Sequence, residues 1–359
     1  MGAPGTTGEA GLRRGETAAL GAVAVATAVA GVLHYSGAPG VPAFAVATVA
    51  LAGLAWIVSF ATEQVGERFG PAITGFLQST LGNLPEFFIV VFALSAGETV
   101  VAQTSLIGSL LSNALLVLGL VIVAGARQAD DDCMRFRRKL PNDTVTLMTL
   151  ATFIIVLTGL SIAAHDPASH HIKAISSIAA VTILVIYVAW LTSYLRSDPP
   201  QEREGRPRLA LPVGLGLLAI AGAGSAFVSD WFIAALDPAV KSLGISKPFA
   251  GLVIVAIAGN AVENVTGIVL AHKGQNDLAI SVVKNSVAQV AAFLFPALVL
   301  VSLLFTTPLT FALAPVYIGA MALTVIAVWQ ITGDGEANVF EGLALIGIYV
   351  IVAAVALYE

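Results

Sequence analysis

Long runs of apolar residues, each about the length of a membrane crossing, follow one another along nearly the whole chain. Because the hydrocarbon core of a bilayer is about 30 Å thick, a spanning helix needs roughly 20 such residues. The pattern therefore predicts an all-α polytopic membrane protein with about eleven transmembrane helices. They lie near residues 16–34, 42–62, 71–97, 100–125, 143–164, 172–195, 209–235, 248–272, 277–305, 310–331 and 338–358.

The composition agrees with this pattern, since 57% of the residues are hydrophobic, 11% are charged and the mean hydropathy is +0.91. Such values exclude a soluble domain of ordinary surface polarity and make the lipid bilayer the first predicted partner. The first apolar run follows two arginines, as a signal peptide would, but its length favours a first spanning helix. No basic stripe with interleaved aromatic residues is present, so no nucleic-acid partner is predicted.

The basic residues are divided unequally between the two predicted membrane faces. If the N-terminus and alternate loops share one face, that face has 13 Lys and Arg residues and the other has three. The positive-inside rule then predicts a cytoplasmic N-terminus and an external C-terminus, in a membrane of the bacterial inner-membrane type. The larger group is Arg13, Arg14, Arg68, Arg127, Arg135, Arg137, Arg138, Lys139, Arg196, Arg203, Arg206, Arg208 and Lys273, and the smaller is Lys173, Lys241 and Lys247.

The second half of the chain repeats polar and small positions of the first half at a constant offset of 177 residues. The matching pairs are Gly82 and Gly259, Asn83 and Asn260, Glu86 and Glu263, Gly97 and Gly274, Ala102 and Ala279, and Ser109 and Ser286. The predicted units are a tail with helix 1 (1–40), a five-helix repeat (41–195), a cytoplasmic linker (196–208) and a second five-helix repeat (209–359). Because five is odd, the repeats are predicted to be inverted, which is typical of secondary transporters.

Two motifs place a glutamate inside an apolar helix, LGNLPEFFIVV at 81–91 and AGNAVENVTGIV at 258–269. Together with SLIGSLLSNALLVLG at 105–119 and DLAISVVKNSVAQ at 277–289, they resemble the two alpha-repeats of the cation/Ca2+ exchanger superfamily, closest to its Ca2+/H+ antiporter branch. The resemblance implies ten core helices, of which four surround a cation site, with helix 1 outside.

The chemistry of these residues supports the same prediction. An ionised carboxylate in hydrocarbon costs several kcal/mol, so it must face the protein interior, be neutralised or hold a cation. Ca2+ takes six to eight oxygen ligands, and we predict that Glu86 and Glu263 supply the charge, Asn83 and Asn260 amide oxygens, and Gly82 and Gly259 free backbone carbonyls. Pro85 adds a carbonyl without its helical partner. The further predicted lining residues are Ser109, Ser112, Asn113, Ser286 and Gln289.

Protons and Ca2+ compete for the same carboxylate oxygens, which predicts a secondary antiporter that exports Ca2+ or a related cation in exchange for protons by alternating access. No resident cofactor is expected. The alternative functions are sodium-coupled exchange, a passive channel and an intramembrane hydrolase that uses Glu86 and Glu263. For the serines and asparagines of the predicted site, the alternative is a role in helix packing. The choice among Ca2+, Mn2+ and Na+ and the formation of a homo-oligomer stay open.

The chain departs from the antiporter pattern in helices 8 and 9. Relatives often have His after the second glutamate, where this chain has Asn264, and usually an apolar residue and Gly where it has Lys284 and Asn285. Spacing places Lys284 on a polar stripe with Ser281, Asn285 and Gln289. Two interpretations follow for Lys284: its ammonium competes with the cation beside the glutamates, or its side chain snorkels to the cytoplasmic surface.

Overall fold

The computed structural model describes residues 11–37, 40–66, 68, 77, 81–197 and 208–359, which fold mainly into helices. The helices are α1 (Arg14–Tyr35), α2 (Val41–Gly66), α3 (Leu84–Ser95), α4 (Thr99–Ala126), α5 (Lys139–Ala163), α6 (Ile172–Ser197), α7 (Leu211–Leu243), α8 (Lys247–Gly259 and Ala261–His272), α9 (Asn276–Leu304), α10 (Pro315–Thr332) and α11 (Val339–Leu357).

Each predicted span has a helix in its place. In the described part of the chain, nine helices are long and apolar enough to cross a membrane, and the two halves of α8, bent by 60°, form a tenth crossing if counted together. The shorter α3 occupies the end of the predicted third span, whose residues 71–76 and 78–80 lie outside the described residues. The all-α polytopic fold is thus confirmed, while linker residues 198–207 also lie outside the described ranges.

Helix α7 is longer than the sequence predicts. Its predicted end at residue 235 is followed by further helical residues as far as Leu243, with Pro238 inside the helix. Gly244, in the left-handed conformation at φ 66°, ends it. A membrane helix tolerates an internal proline when neighbouring groups satisfy the carbonyl that loses its hydrogen bond. A glycine in the left-handed conformation, in contrast, ends a helix, so the helix continues past Pro238 and stops at Gly244.

Helices α2 and α7 pack against each other along much of their lengths. Small residues of α7 permit this approach: a Cβ added to Gly214 would lie 2.9 Å from Val65, and one added to Gly224 would lie 3.1 Å from Leu54. Such small-residue contacts are the usual means by which membrane helices come close. Helix α1 packs on the outside of this pair.

The centre of the molecule is built from α3, α4, α8 and α9, which pack against one another. The tightest crossing joins α4 to the first half of α8, where Gly108 lies against the backbone of Leu252 and Gly251 lies against Thr104. Neither position has room for a Cβ, so the two glycines fix how closely these helices meet. This crossing brings polar residues of α4 and α8 to the same depth.

A small antiparallel sheet joins two loops, and the sequence patterns did not predict it. Strand β1 (Cys133–Arg135) pairs with β2 (Glu336–Asn338), with Met134 opposite Ala337. At the end of β2, Asn338 caps α11 through its hydrogen bond from the Glu341 backbone N–H. Three-residue strands are too short for an alternation of polar and apolar residues to be recognised in the sequence.

Candidate cation site

Both Gly-Asn-x-x-Glu motifs interrupt a helix at the asparagine. Asn83 has φ −95° and ψ 16°, and Asn260, 177 residues later, has φ −102° and ψ 16°. A new helical segment starts immediately after each of them, so Glu86 and Glu263 lie in first turns. The positive end of a helix dipole favours an anionic side chain there. The sequence predicted buried glutamates at these depths but not that each would occupy a helix N-terminus.

Pro85 is in the first turn of α3, where its missing N–H does not remove a bond that the segment needs. Its predicted contribution, a carbonyl of Leu81 without a helical partner, stays a prediction. Gly82 lies buried in the turn before α3. In the second motif, Gly259 makes room for a glutamate of the first, because a Cβ there would lie 3.0 Å from Glu86 Cγ.

Glu86 is almost completely buried, with 2% of its surface exposed. Its Oε1 accepts hydrogen bonds from the Ser109 hydroxyl and, at 3.0 Å, from Asn260 Nδ2. These partners belong to α4 and α8, so three helices meet at one carboxylate oxygen. The other oxygen, Oε2, is buried and has no hydrogen-bond partner among the described residues.

The hydrogen bonds continue from Asn260 to α4 and α9. Asn113 Nδ2 donates to Asn260 Oδ1 and to Ser286 Oγ, both at 2.9 Å, and Ser286 Oγ also lies 3.4 Å from Asn260 Oδ1. Five residues predicted from the sequence therefore form one network, which we call the Glu86 network: Glu86, Ser109, Asn113, Asn260 and Ser286. It includes residues from both halves of the chain.

The orientation of Asn260 differs from the sequence-based expectation. We predicted that its amide oxygen would face the site, but the amide nitrogen faces Glu86 and the oxygen faces Asn113. The carbonyl of Ala256, which accepts from Asn260 Nδ2 at 2.9 Å, explains this, since a carbonyl only accepts. Residue spacing determines which side chains meet, but not which end of an amide points to a neighbour.

The remaining predicted lining residues lie around this network. Asn83 Nδ2 donates to Gln289 Oε1 at 3.4 Å, a second contact between the two halves. Ser112 is fully buried on α4, one turn after Ser109. Whether these side chains bind a cation stays a prediction.

Glu263 has a different environment from Glu86. It is half-buried, and within the described part of the chain no hydrogen bond connects it to the Glu86 network. The inverted-repeat argument predicted two glutamates near each other, and it gave no reason to expect one enclosed by hydrogen bonds and the other partly accessible.

Lys284 follows neither of its two predicted orientations. Its side chain is 1% exposed, so it does not reach the surface, and its Nζ donates to Thr332 Oγ1 on α10 at 3.4 Å. No ion pair joins it to a carboxylate in the described residues. The α9 residue of the Glu86 network is Ser286, which was not part of the predicted polar stripe, and residues two apart on a helix point about 200° from each other. Lys284 thus faces away from Ser286, and Asn285 is half-buried between these directions.

Three wide helical turns lie in the central helices of the described structure, and we did not predict them. They are the π-helical segments Ser112–Val117 in α4, Ala250–Val255 in α8 and Val290–Leu294 in α9, of which the first and the third are related by close to the same 177-residue offset. Such turns occur often at functional sites, and they rotate the side chains that follow. No residue type in the sequence marks these turns, although the polar Asn113 near the start of the first one is what a functional position would have.

Comparison with known proteins decides the family. The sequence profile described as sodium/calcium exchanger protein matches residues 40–193 and 213–358, one match for each predicted repeat. The chain belongs to this family. The resemblance seen in the two motifs is therefore confirmed, and the family profile leaves α1 unmatched.

Individual relatives of this exchanger-family chain agree. A vacuolar calcium ion transporter of Schizosaccharomyces pombe is 33% identical over 322 residues, covering 86% of this chain and 77% of the relative. The Ca2+/H+ antiporter ChaA of Bacillus subtilis is 31% identical over 333 residues, which cover 90% of this chain and 93% of the relative. The solved structure of native YfkE has a TM-score of 0.79 at 29% identity and covers 94% of this chain and 98% of its own.

Proposed function

We propose that this exchanger-family member is a secondary antiporter that moves Ca2+ out of the cytoplasm in exchange for protons by alternating access. The observation that carries the proposal is Glu86, a buried carboxylate with one oxygen bonded to residues of both halves and the other without a partner in the described structure. The names of the fungal and Bacillus relatives supply the cation and the counter-ion.

The coupling follows from the cost of burying charge. An ionised carboxylate away from water needs a compensating group, and either a proton or a bound cation meets that need. Because both use the same oxygens, a cation that arrives displaces a proton, and the reverse. Glu86 and Glu263 are the proposed exchange groups, with Ser109, Ser112, Asn113, Asn83, Asn260, Ser286 and Gln289 as proposed lining residues.

The proposed topology has two inverted repeats, 41–195 and 209–359, with the N-terminus in the cytoplasm. The matching interruptions at Asn83 and Asn260 support the repeat, as do the matching π-helical segments of α4 and α9. An inverted arrangement gives the site two equivalent approaches, one from each side, which alternating access requires. The excess of basic residues in alternate loops supports the orientation.

Flux measurement tests this function directly. Purified protein in liposomes is given an imposed pH gradient, an imposed Na+ gradient or neither, and Ca2+ uptake is recorded. The proposal expects uptake driven by the pH gradient alone. Ca2+ uptake driven by the Na+ gradient would show that the protein is a sodium-coupled exchanger. Ca2+ flux with neither gradient would show that it is a channel. Mn2+ in place of Ca2+ under the same gradient measures selectivity.

A further inference from the structure

We propose that Lys247 forms an external latch: its ammonium connects α7 to the central helices and keeps the external side of the cation site closed. This inference rests on the proposed function, because it concerns access to the same site. In the proposed topology, the turn between α3 and α4 and the turn between α7 and α8 both lie on the external face. Lys247 is the first residue of α8 and contacts residues from both turns.

The ammonium of Lys247 contacts two carboxylates at once. Its Nζ lies 2.7 and 2.8 Å from the two oxygens of Glu98, in the turn between α3 and α4. It also lies 2.7 Å from Asp237 Oδ1, near the end of α7. The exposed fractions of the side chains are 35% for Lys247, 20% for Glu98 and 44% for Asp237. Water therefore screens these charges only in part.

The two contacts of Lys247 connect different parts of the molecule. Lys247 and Glu98 lie at the external ends of α8 and α4, two helices that are held in close contact at Gly108 and Gly251. Their ion pair therefore lies within one packed unit. Asp237 belongs to α7, which packs against α2 along much of its length. The pair of Lys247 and Asp237 thus connects the two units, and it has to break when they separate on the external side.

The inverted repeat gives the cytoplasmic face no equivalent set of charges. At the 177-residue offset, the counterparts are Gln275 for Glu98, Phe60 for Asp237 and Gly70 for Lys247. Glu98 and Gln275 precede their helices with nearly the same backbone, at φ −82° and ψ 57° against φ −87° and ψ 60°. In an inverted repeat, a contact that closes one face has its counterpart on the other face. The latch therefore stabilises the externally closed state and favours molecules that face the cytoplasm.

The half-saturating Ca2+ concentrations from the two faces measure this bias. The apparent affinity from one face follows the fraction of molecules that are open to that face. Ca2+ exchange driven by a pH gradient is recorded in right-side-out and inside-out membrane vesicles with the full-length protein, for wild type, Asp237→Asn and Lys247→Met. In both variants the external half-saturating concentration should fall about fivefold, at the upper end for a partly exposed ion pair. The cytoplasmic value should not fall, whereas simple damage to the site would weaken binding from both faces.

Matched controls remove the same charges without touching the latch. Asp230→Asn and Lys241→Met change exposed residues of α7 that have no ion-pair partner in the described part of the chain, and both half-saturating concentrations should equal those of wild type. Lys247→Arg keeps the positive charge and should also retain the wild-type values. An external value that is unchanged in Asp237→Asn and Lys247→Met would overturn the inference.

A labelling experiment tests the latch without transport. Ser109 contacts Glu86 in the site, so Ser109→Cys in a Cys133→Ser background reports whether a reagent reaches the site. A membrane-impermeant methanethiosulfonate reagent added outside should label this cysteine about fivefold faster when Asp237→Asn is present, and no faster with Asp230→Asn. An unchanged labelling rate would contradict the latch. Faster labelling in a protein whose wild type shows no Ca2+ exchange would support the latch and contradict the proposed function.

Discussion

Asn260, from the second half of the chain, donates its amide N–H to Glu86, from the first half, over 3.0 Å in the buried centre of the molecule. The contact joins residues 174 positions apart in the sequence. It exists because both halves interrupt a helix at the same position of the same motif, and because Gly259 leaves room for the Glu86 side chain. The site is therefore made from both repeats, and neither repeat contains it alone.

Neutralising either glutamate should abolish exchange without unfolding the protein. Glu86→Gln keeps an oxygen that accepts from Ser109 and Asn260, so the network can form, but the amide carries neither charge nor proton. Glu263→Gln removes the second exchange group. We expect pH-driven Ca2+ uptake into liposomes to fall to background in both variants, with thermal unfolding midpoints near that of wild type. Wild-type uptake by one variant would remove that glutamate from the site.

Adding a single methyl group at Gly259 should disturb the site. The new Cβ would lie 3.0 Å from Glu86 Cγ and 3.3 Å from its Oε1, so the carboxylate has to move by a few tenths of an ångström. We expect Gly259→Ala to weaken Ca2+ binding by about tenfold, since charge-assisted contacts are sensitive to such shifts. The matched control is Gly347→Ala on α11, where a Cβ meets nothing within 4 Å. Equal affinities for the two variants would contradict this role of Gly259.

The sequence was informative about this protein wherever the physics of the bilayer limits the possibilities. Apolar runs of spanning length identified the helices, and intramembrane polar residues that recur at one offset identified every member of the Glu86 network except Asn113, which was predicted as a lining residue of helix 4. Because hydrocarbon makes an isolated carboxylate so costly, Glu86 and Glu263 stood out from the rest of the chain. The corresponding predictions needed no knowledge of the three-dimensional structure.

Other features depend on contacts that a linear pattern does not encode. The Asn260 amide orientation is decided by the Ala256 carbonyl, and the direction of Lys284 by rotation around α9. The wide turn at Ser112–Val117 contains about one more residue than a normal helical turn, and no residue type is typical of such turns, so the sequence does not reveal it. Loop pairing between β1 and β2 joins residues about 200 positions apart.

Cys133, the one cysteine of the sequence, makes the proposed orientation measurable. It lies in β1, between spans α4 and α5, on the face that the basic residues predict to be cytoplasmic. In intact cells, a membrane-impermeant maleimide should label it only after permeabilisation. Labelling of Cys133 in intact cells would show that this loop is external and that the proposed orientation is wrong.

The rate of the same reaction should depend on pH. Burial raises the pKa of the Cys133 thiol, and the nearby Glu336 carboxylate adds to the increase, so the thiolate fraction at neutral pH is smaller than for a free cysteine. We expect slower maleimide labelling of the permeabilised protein than of a small-molecule thiol at pH 7, with a rate that increases as the pH is raised. A rate at pH 7 equal to that of the free thiol would contradict the effect of the surroundings.

Replacing Lys284 should stabilise the protein and leave Ca2+ affinity nearly unchanged. The side chain is buried with Thr332 as its hydrogen-bond acceptor and has no carboxylate in ion-pair range within the described residues, an arrangement that opposes folding. In Lys284→Met the apolar side chain fills similar space, and the Thr332 hydroxyl still donates to the Val328 carbonyl. We expect a gain of about 1–3 kcal/mol in unfolding free energy, seen as a higher thermal midpoint in detergent.

Lys241→Met, an exposed lysine at the end of α7, is the matched control and should leave the midpoint unchanged. Ca2+ affinity of Lys284→Met should stay within about twofold of wild type, because the ammonium points to α10 and away from the Glu86 network. Clearly tighter Ca2+ binding in Lys284→Met, without a change in Lys241→Met, would instead mean that the ammonium reaches the glutamates during the transport cycle and competes there with the cation.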